Sequence, residues 1–319
     1  MAATDEFAAA LDAGDYRGAL TAYRATEHAQ SSIGKPTEAF LLALAGEHGA
    51  AGQHMQGVTQ ANVIEAFVRG ERERHARWTD VRAAGSMNAS EPLPYLGVYA
   101  GTSVALLQGD KALIDGAIAA DKAKIPPVAG TLTFRSGDVR EFSSIVDSDD
   151  GIGAMLETYG ADGLLYIPFA SLRSVRFAPP RTFMDSFIVR GDAVLADGTQ
   201  TMVIVPMLYA LSSTAGVQTI RTGRETRWEY VGSARRGIGQ RDFVLDGGTM
   251  IGLQNVAAIE LRGTARPATK AAPRPAPEPL PRARVDAGGA GAEPTSRQDV
   301  LMLVLVVAVI VAVLVAILS

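Results

Sequence analysis

The spacing of apolar residues changes at Pro126-Pro127, and this change restricts the chain to a fold with two kinds of structure. Apolar residues upstream recur at helical spacing, as in Phe7, Leu11, Leu20 and Tyr23. Downstream, short runs rich in β-branched and aromatic residues are separated by Gly and Asp, which is typical of strands and turns. We therefore expect an α+β protein with an all-helical domain at residues 1–124 and a mostly antiparallel, β-rich domain at residues 128–263.

Three similar turns divide the helical part. Each places a glycine and then an acidic residue between two apolar stretches, at Gly14-Asp15, Gly46-Glu47 and Gly109-Asp110. The glycines are 32 and then 63 residues apart, close to one and two periods of the tetratricopeptide (TPR) hairpin of roughly 34 residues. We therefore predict a degenerate TPR-like array. Such arrays usually bind a peptide or a partner helix on one surface, and purely structural stacking is the alternative.

A longer helix is predicted from Gln60 to Arg82. Its segment ERERHAR places Glu73 four residues before Arg77, and Glu71 four residues before His75. This spacing favours ion pairs along a helix face that is exposed to solvent.

Ten runs in the downstream part are predicted strands. They are residues 131–134, 139–142, 164–169, 174–177, 187–190, 193–196, 201–206, 226–231, 243–245 and 257–261. Asp197-Gly198 and Asp246-Gly247 have the composition of tight hairpin turns. One helix, Ile152–Tyr159, is expected to interrupt the sheet, with Asp149 or Asp150 as its N-cap and a loss of about 1 kcal/mol on Asp149→Ala.

The last part of the sequence predicts attachment to a membrane. Residues 264–298 are rich in Pro, Ala, Gly and Arg and poor in large apolar side chains, which predicts a disordered linker. Residues 300–318 are all apolar, enough for a helix of roughly 29 Å across the hydrocarbon core. We therefore predict a C-terminal transmembrane anchor at 299–319. Arginines precede it and no secretion signal is recognisable at residues 1–10, so the bulk of the chain is expected in the cytoplasm.

Composition and motifs argue against several kinds of chemistry. A net charge of −4 is unsuited to nucleic-acid binding, and the absence of cysteine excludes disulfides and thiolate sites. The four histidines lack zinc-site spacing, and the acidic run 147–157 misses the register of a calcium loop by one residue. No G-x-S-x-G motif occurs. We expect no cofactor, no metal, no small-molecule substrate and no enzymatic activity.

A series of motifs in the β-rich part has a known counterpart. The segment 147–169 carries an ordered set of acidic, glycine and aromatic positions: Asp147, Asp149, Gly153, Glu157, Gly163, Tyr166, Pro168 and Phe169. Further positions follow in order: Asp185, Pro206, Tyr209, Arg224, Thr226, Trp228, Gly237, Gly239, Gln240 and Arg241. In their order and spacing these positions resemble the ImpE/TagJ family of type VI secretion system accessory proteins, and the resemblance covers about residues 1–263.

The resemblance implies a non-enzymatic adaptor that binds the N-terminal helix of the small contractile-sheath subunit, while the predicted anchor holds it at the bacterial inner membrane. Four aromatic residues are candidate contacts for that partner, with burial in the core as the alternative: Tyr166, Phe169, Tyr209 and Trp228. Nine further motif positions are expected to be structural: Asp147, Asp149, Gly153, Glu157, Arg224, Thr226, Gly239, Gln240 and Arg241.

Two other interpretations remain open at this point. The chain could be a tail-anchored TPR-like scaffold for another membrane complex. It could also be an enzyme that uses Asp147 and Asp149.

Overall fold

The computed structural model describes residues 2–58, 62–91, 93, 95–122, 125–160 and 162–262. No helix in these ranges is both long and apolar enough to cross a bilayer. The linker predicted at 264–298 and the anchor predicted at 299–319 lie outside the described residues.

The upstream part is helical, as predicted. The helices described are α1 (Ala2–Asp12), α2 (Tyr16–Arg24), α3 (Gly34–Leu44), α4 (His48–His54), α5 (Asn62–Arg77), α6 (Val81–Ala84), α7 (Leu96–Gln108), α8 (Lys111–Lys122) and, within the β-rich part, α9 (Gln218–Arg221).

All three predicted glycine turns join neighbouring helices. Gly14 lies between α1 and α2, Gly46 between α3 and α4, and Gly109 between α7 and α8, each with a positive φ of 64° to 81°. Glycine adopts this left-handed conformation without the steric penalty of a Cβ atom. The acidic residue that follows can then cap the next helix: Asp15 accepts a hydrogen bond from the Gly18 amide at 2.8 Å, and Asp110 accepts from the amides of residues 112 and 113.

The helix predicted from Gln60 to Arg82 is divided in two. The first helix, α5, ends at Arg77, and α6 begins at Val81. Between them Asp80 has extended backbone angles, and its carboxylate accepts hydrogen bonds from the Arg82 and Ala83 amides. An aspartate that caps a new helix therefore interrupts the predicted one.

The downstream part is made of antiparallel strands, as predicted. The strands are β1 (Ala129–Phe134), β2 (Val139–Phe142), β3 (Ile145–Asp147), β4 (Met155–Gly160), β5 (Gly163–Pro168), β6 (Leu172–Phe177), β7 (Ile188–Leu195), β8 (Gln200–Pro206), β9 (Thr226–Val231), β10 (Ala234–Gly239), β11 (Asp242–Leu245), β12 (Thr249–Gly252) and β13 (Val256–Arg262). Eight form one sheet in the order β2-β1-β13-β6-β7-β8-β4-β5. The others form a hairpin, β10-β9, and a three-stranded sheet, β12-β11-β3.

Most predicted strands are present, and both predicted hairpin turns are confirmed. Asp197-Gly198 connects β7 to β8, and Asp246-Gly247 connects β11 to β12. The runs 187–190 and 193–196, predicted as two strands, belong to the single strand β7.

The helix predicted at Ile152–Tyr159 is wrong. From Met155 onwards this segment is strand β4. The strand β4 pairs with β5 over its full length and with β8 at Tyr159. Five of its six residues are buried, so no alternation of polar and apolar residues marked it as a strand. The prediction also missed the short strands β3, β10 and β12.

The helical part and the sheet share a hydrophobic core. Leu20, Phe40 and Phe67 from the helices pack in one cluster with Tyr159 and Ile204 from the strands. A second cluster lies between the large sheet and the three-stranded sheet. All described residues belong to one compact unit.

The glycine turns also contact the β-rich part. A Cβ atom on Gly14 would lie 3.0 Å from the Cβ and Nε atoms of Arg221, and one on Gly46 would lie 2.9 Å from Thr214. Arg221 in turn donates hydrogen bonds to the carbonyls of Ala13 and Gly14. A Cβ atom on Gly109 would meet no other group within 4 Å in the described part of the chain.

These contacts predict different effects for the same substitution at two turns. Gly109→Ala should lower the free energy of unfolding by about 1 kcal/mol, because only the positive φ opposes a Cβ atom. Gly14→Ala should lower it by about 2 to 4 kcal/mol, because the methyl group must also displace Arg221. Urea unfolding of the full chain, followed by the fluorescence of its two tryptophans, measures both. Equal losses would show that the Arg221 contact is unimportant.

Candidate functional site

Several motif residues of the β-rich part converge on one buried arginine. Arg241 is fully buried, and its Nη1 donates to Asp147 Oδ2 at 2.8 Å while its Nη2 pairs with Glu157. Asp147 ends β3, Glu157 lies in β4, and Arg241 precedes β11. Because a buried charge is tolerated only when it is paired, three separate segments must meet here.

A second arginine extends this cluster into the helical part. Arg74 of α5 is 2% exposed. It donates hydrogen bonds to the Tyr159 hydroxyl at 2.8 Å and to the Leu208 carbonyl at 2.9 Å. Its Nη1 also lies 3.1 Å from a Glu71 oxygen and 3.9 Å from Glu157 Oε2. The cluster therefore fastens α5 to the sheet.

The prediction that the segment ERERHAR presents a solvent-exposed face is wrong, because two of its arginines are buried. Arg74 and Arg77 are both 2% exposed, and Glu73 accepts a hydrogen bond from the Leu164 amide. The missed signal is periodic: Phe67, Gly70, Arg74 and Arg77 recur at spacings of three and four. The arginines continue the core-facing stripe of the helix, and Arg77 lies over the Tyr166 ring at 5.1 Å.

Three of the four candidate contact residues are buried. Tyr166 donates to Glu157 Oε1 at 2.9 Å, and Tyr209 donates to Asp147 Oδ1 at 3.1 Å. Phe169 packs against Phe243 in the second core cluster. Tyr166, Phe169 and Tyr209 therefore build the core, the alternative foreseen for them, and in this structure they are not available to a partner.

Trp228 differs from these three because it is only partly buried. Its ring lies 5.9 Å from the Tyr209 ring on one side, and the Arg235 guanidinium lies 5.3 Å from its centroid.

The acidic segment after β3 forms a tight turn rather than a helix cap. Asp149 accepts hydrogen bonds from the Gly151 amide at 2.8 Å and from the Gly237 amide of β10 at 3.0 Å. The Gly153 carbonyl accepts from the Asp147 amide at 2.7 Å. The predicted N-cap role of Asp149 is thus wrong, since its carboxylate joins this turn to the β9-β10 hairpin.

The three buried carboxyl groups have different electrostatic environments. Burial raises the pKa of Asp147 to about 7 although Arg241 opposes the rise, and burial raises the pKa of Asp149 to about 6. Burial would also raise the pKa of Glu157, but Arg241 and Arg74 outweigh it and hold that pKa below its ordinary value. Glu157 is therefore the ionised partner of Arg241 at neutral pH, and the proton is retained more readily on Asp147.

The remaining polar motif positions lie elsewhere, around an open cleft of about 430 Å³. Asp185, Arg224 and Gln240 line this cleft together with Arg135. The Thr226 hydroxyl donates a hydrogen bond to the carbonyl of the cleft residue Gln240 at 3.0 Å. The Gly239 carbonyl accepts a hydrogen bond from the Tyr209 amide. The motif positions thus form two groups, one inside the protein and one at its surface. No group of three or more potential metal ligands occurs in the described part of the chain.

The buried cluster predicts a large loss of stability when Arg241 is replaced. Arg241→Met should lower the free energy of unfolding by about 3 to 5 kcal/mol, because Glu157 is left buried without its main partner. Arg262→Met is a matched control, since Arg262 pairs with Glu141 at the exposed surface. The control should change stability by less than about 1 kcal/mol. Chemical unfolding measures both, and similar losses would contradict a special role of the buried pair.

The raised pKa of Asp149 predicts a pH dependence of stability. The folded protein holds the proton up to about pH 6, whereas the unfolded chain releases it near the ordinary value of 3.8. Stability contributed by this group therefore falls as the pH rises through that interval. The stability of the wild type relative to Asp149→Asn should drop by roughly 2 to 2.5 kcal/mol between pH 4 and pH 7. Unfolding curves at several pH values test this, and parallel profiles would refute it.

Comparison with known proteins agrees with the motif pattern. Residues 139–260 match the family model "ImpE protein". Over 107 residues the chain is 31% identical to the type VI secretion system accessory component TagJ of Pseudomonas aeruginosa, a region that covers 34% of this chain and 37% of that protein. The crystal structure of protein VPA1032 from Vibrio parahaemolyticus has the same fold, with a TM-score of 0.66 at 15% identity over 80% of this chain and 97% of that one. Residues 139–260 of this chain therefore match the ImpE family model, and part of the chain is similar to TagJ.

Proposed function

We propose that this protein is a non-enzymatic accessory component of a type VI secretion system. The observation that carries the proposal is the similarity to TagJ, whose name describes such a component. The buried cluster supports it, because Asp147 and Asp149 are 1% and 2% exposed and are surrounded by their own hydrogen-bond partners. Carboxyl groups that are closed off from solvent in this way offer no place for a substrate.

The proposed partner is the N-terminal helix of the small contractile-sheath subunit. An amphipathic helix binds by placing its apolar face against an apolar surface of the receptor. Three large apolar side chains of the helical part are exposed: Ile33, Val81 and Leu113. Leu113 is the most exposed of them, at 55%, and lies on α8 beside the Gly109 turn. We therefore assign the docking surface to the helical part, as expected for a TPR-like array.

The proposal includes a membrane tether. The apolar segment at 299–319 would hold the chain at the inner membrane, and the linker of 35 residues would have an r.m.s. span of roughly 30 Å. The folded part would then act within a thin cytoplasmic layer, where its effective concentration for anything assembled at the membrane is high.

Peptide binding by the full chain in detergent micelles tests this function. A peptide that carries the N-terminal helix of the sheath subunit should bind with micromolar affinity, about 8 kcal/mol. Leu113→Glu should weaken binding about tenfold or more, because a buried leucine contributes about 1.5 to 3 kcal/mol. Met202→Glu is the matched control: Met202 is equally exposed, at 54%, but lies on the large sheet.

Deletion of residues 299–319 completes the same experiment. The shortened chain should leave the membrane fraction and keep its affinity for the peptide, since the docking surface is in the folded part. Calorimetry that detects no binding of the peptide would contradict the sheath adaptor. If the full chain does not bind the peptide but its membrane attachment still requires residues 299–319, the alternative of a tail-anchored scaffold for another complex is favoured.

A further inference from the structure

An open cleft lies between Arg135 and Arg224 in the described part of the chain. Arg135 follows β1, Arg224 follows α9, and Met207 and Leu208 after β8 form an apolar part of the wall. Its volume of about 430 Å³ is within the range of known ligand sites. Unlike the buried cluster, it can receive a group from another molecule.

The charges around the cleft favour an anion. Two arginines and one aspartate line it. Asp185 Oδ2 is already engaged, because it accepts hydrogen bonds from the Arg181 and Thr182 amides and from the Thr182 hydroxyl. Among the lining residues the arginines outnumber the carboxylates by one, and the Oδ2 atom of the one lining carboxylate is committed to a backbone turn.

Arg135 donates its hydrogen bonds to neutral groups, and Asp185 is a charged neighbour that acts on it electrostatically. Its Nε donates to the Gln254 carbonyl at 2.8 Å and its Nη2 to the Ala178 carbonyl at 3.0 Å. Both acceptors are uncharged, and its Nη1 has no bonded acceptor within the described ranges. A guanidinium fixed in this way is preorganised for a carboxylate, because little side-chain entropy is lost on binding.

Arg224 is paired only at the surface. Its Nη2 lies 3.0 Å from Asp12 Oδ1, and both side chains are more than half exposed. An exposed ion pair of this kind contributes about 0 to 1 kcal/mol, so a ligand carboxylate can replace it at little cost.

Gln240 supplies a donor that the fold does not use. The residue is only 9% exposed, yet its Nε2 has no hydrogen-bond partner in the described part of the chain. A buried donor without an acceptor costs about 1 to 3 kcal/mol. A ligand carbonyl recovers this cost when the Gln240 side chain turns its buried Nε2 towards the cleft. The backbone of Gln240 is fixed by its neighbour Arg241, whose amide donates to the Met207 carbonyl.

We propose that this cleft binds an acidic peptide segment of a protein partner. An Asp or Glu carboxylate of the peptide pairs with Arg135 and Arg224, and a main-chain carbonyl accepts from Gln240. The Gln240 carboxamide and the apolar wall distinguish a peptide from a free inorganic anion, because they match amide groups and side-chain carbons. This site is separate from the helical docking surface proposed above, so each can fail without the other.

Fluorescence anisotropy of the full chain in detergent micelles tests the proposal. The probe is a labelled hexapeptide amide with the sequence Leu-Glu-Gly-Leu-Glu-Gly, compared with the same peptide carrying Gln in place of both Glu residues. The acidic peptide should bind at least about tenfold more tightly than the Gln peptide, because only it forms charge-assisted hydrogen bonds.

Three variants connect the binding to the cleft. Arg224→Gln and Gln240→Met should each weaken the acidic peptide several-fold to about tenfold, and Arg135→Gln should do the same if its melting temperature is unchanged. Arg173→Gln is the matched control, an exposed arginine on β6 outside the cleft. Arg224 is exposed, so its variant remains informative even if the other two lose stability.

Two results would contradict the proposal of a peptide site in the cleft. Equal affinity for the acidic and Gln peptides would overturn the proposal, as would full binding by Arg224→Gln and Gln240→Met. A Leu113→Glu chain should still bind the acidic probe, and an Arg224→Gln chain should still bind the sheath peptide. These two crossed measurements separate a failure of the cleft from a failure of the proposed function.

Discussion

The fold depends on the placement of one guanidinium group between two carboxyl groups in the protein interior. Arg241 reaches Asp147 at the end of β3 and Glu157 in the middle of β4, and both are separated from it by more than 80 residues of sequence. Removal of any of these charges from water is expensive, so each is stable only when the others are in place. The three-stranded sheet and the large sheet are thereby fixed relative to each other.

The same interaction extends to the helical part through Arg74 and Tyr159. The Tyr159 hydroxyl accepts from Arg74 and pairs with Glu71, so the polar network continues from β4 into α5. Gly70 allows this approach, since a Cβ atom there would lie 2.1 Å from the Tyr159 ring. Helix and strand are thus joined by packing and by charge at one place, which makes the helical part and the sheet a single unit.

Sequence patterns predicted the parts of this structure that are determined locally. The glycine turns of the helices and the Asp-Gly hairpins follow from the conformations of one or two residues, and they are present. The β4 strand and the buried face of α5 follow from pairing with distant segments, and both were mispredicted. A strand that is buried on both faces shows no alternation of polar and apolar residues. A buried arginine in a helix cannot be told from a solvent-exposed one by residue type alone. The convergence of the motif residues on Arg241 required the three-dimensional structure.

The separation of the motif into a buried and an open group affects how mutational data on this family must be interpreted. A domain of this size is stable by only about 5 to 15 kcal/mol, so loss of the Arg241 pair removes a large fraction of that stability. A variant of Asp147, Glu157 or Arg241 will therefore weaken every function that needs the folded protein to the extent that it unfolds the chain. Arg224 is exposed and its ion pair contributes little to folding. Only substitutions of exposed residues such as Arg224 can distinguish a binding surface from the scaffold that supports it.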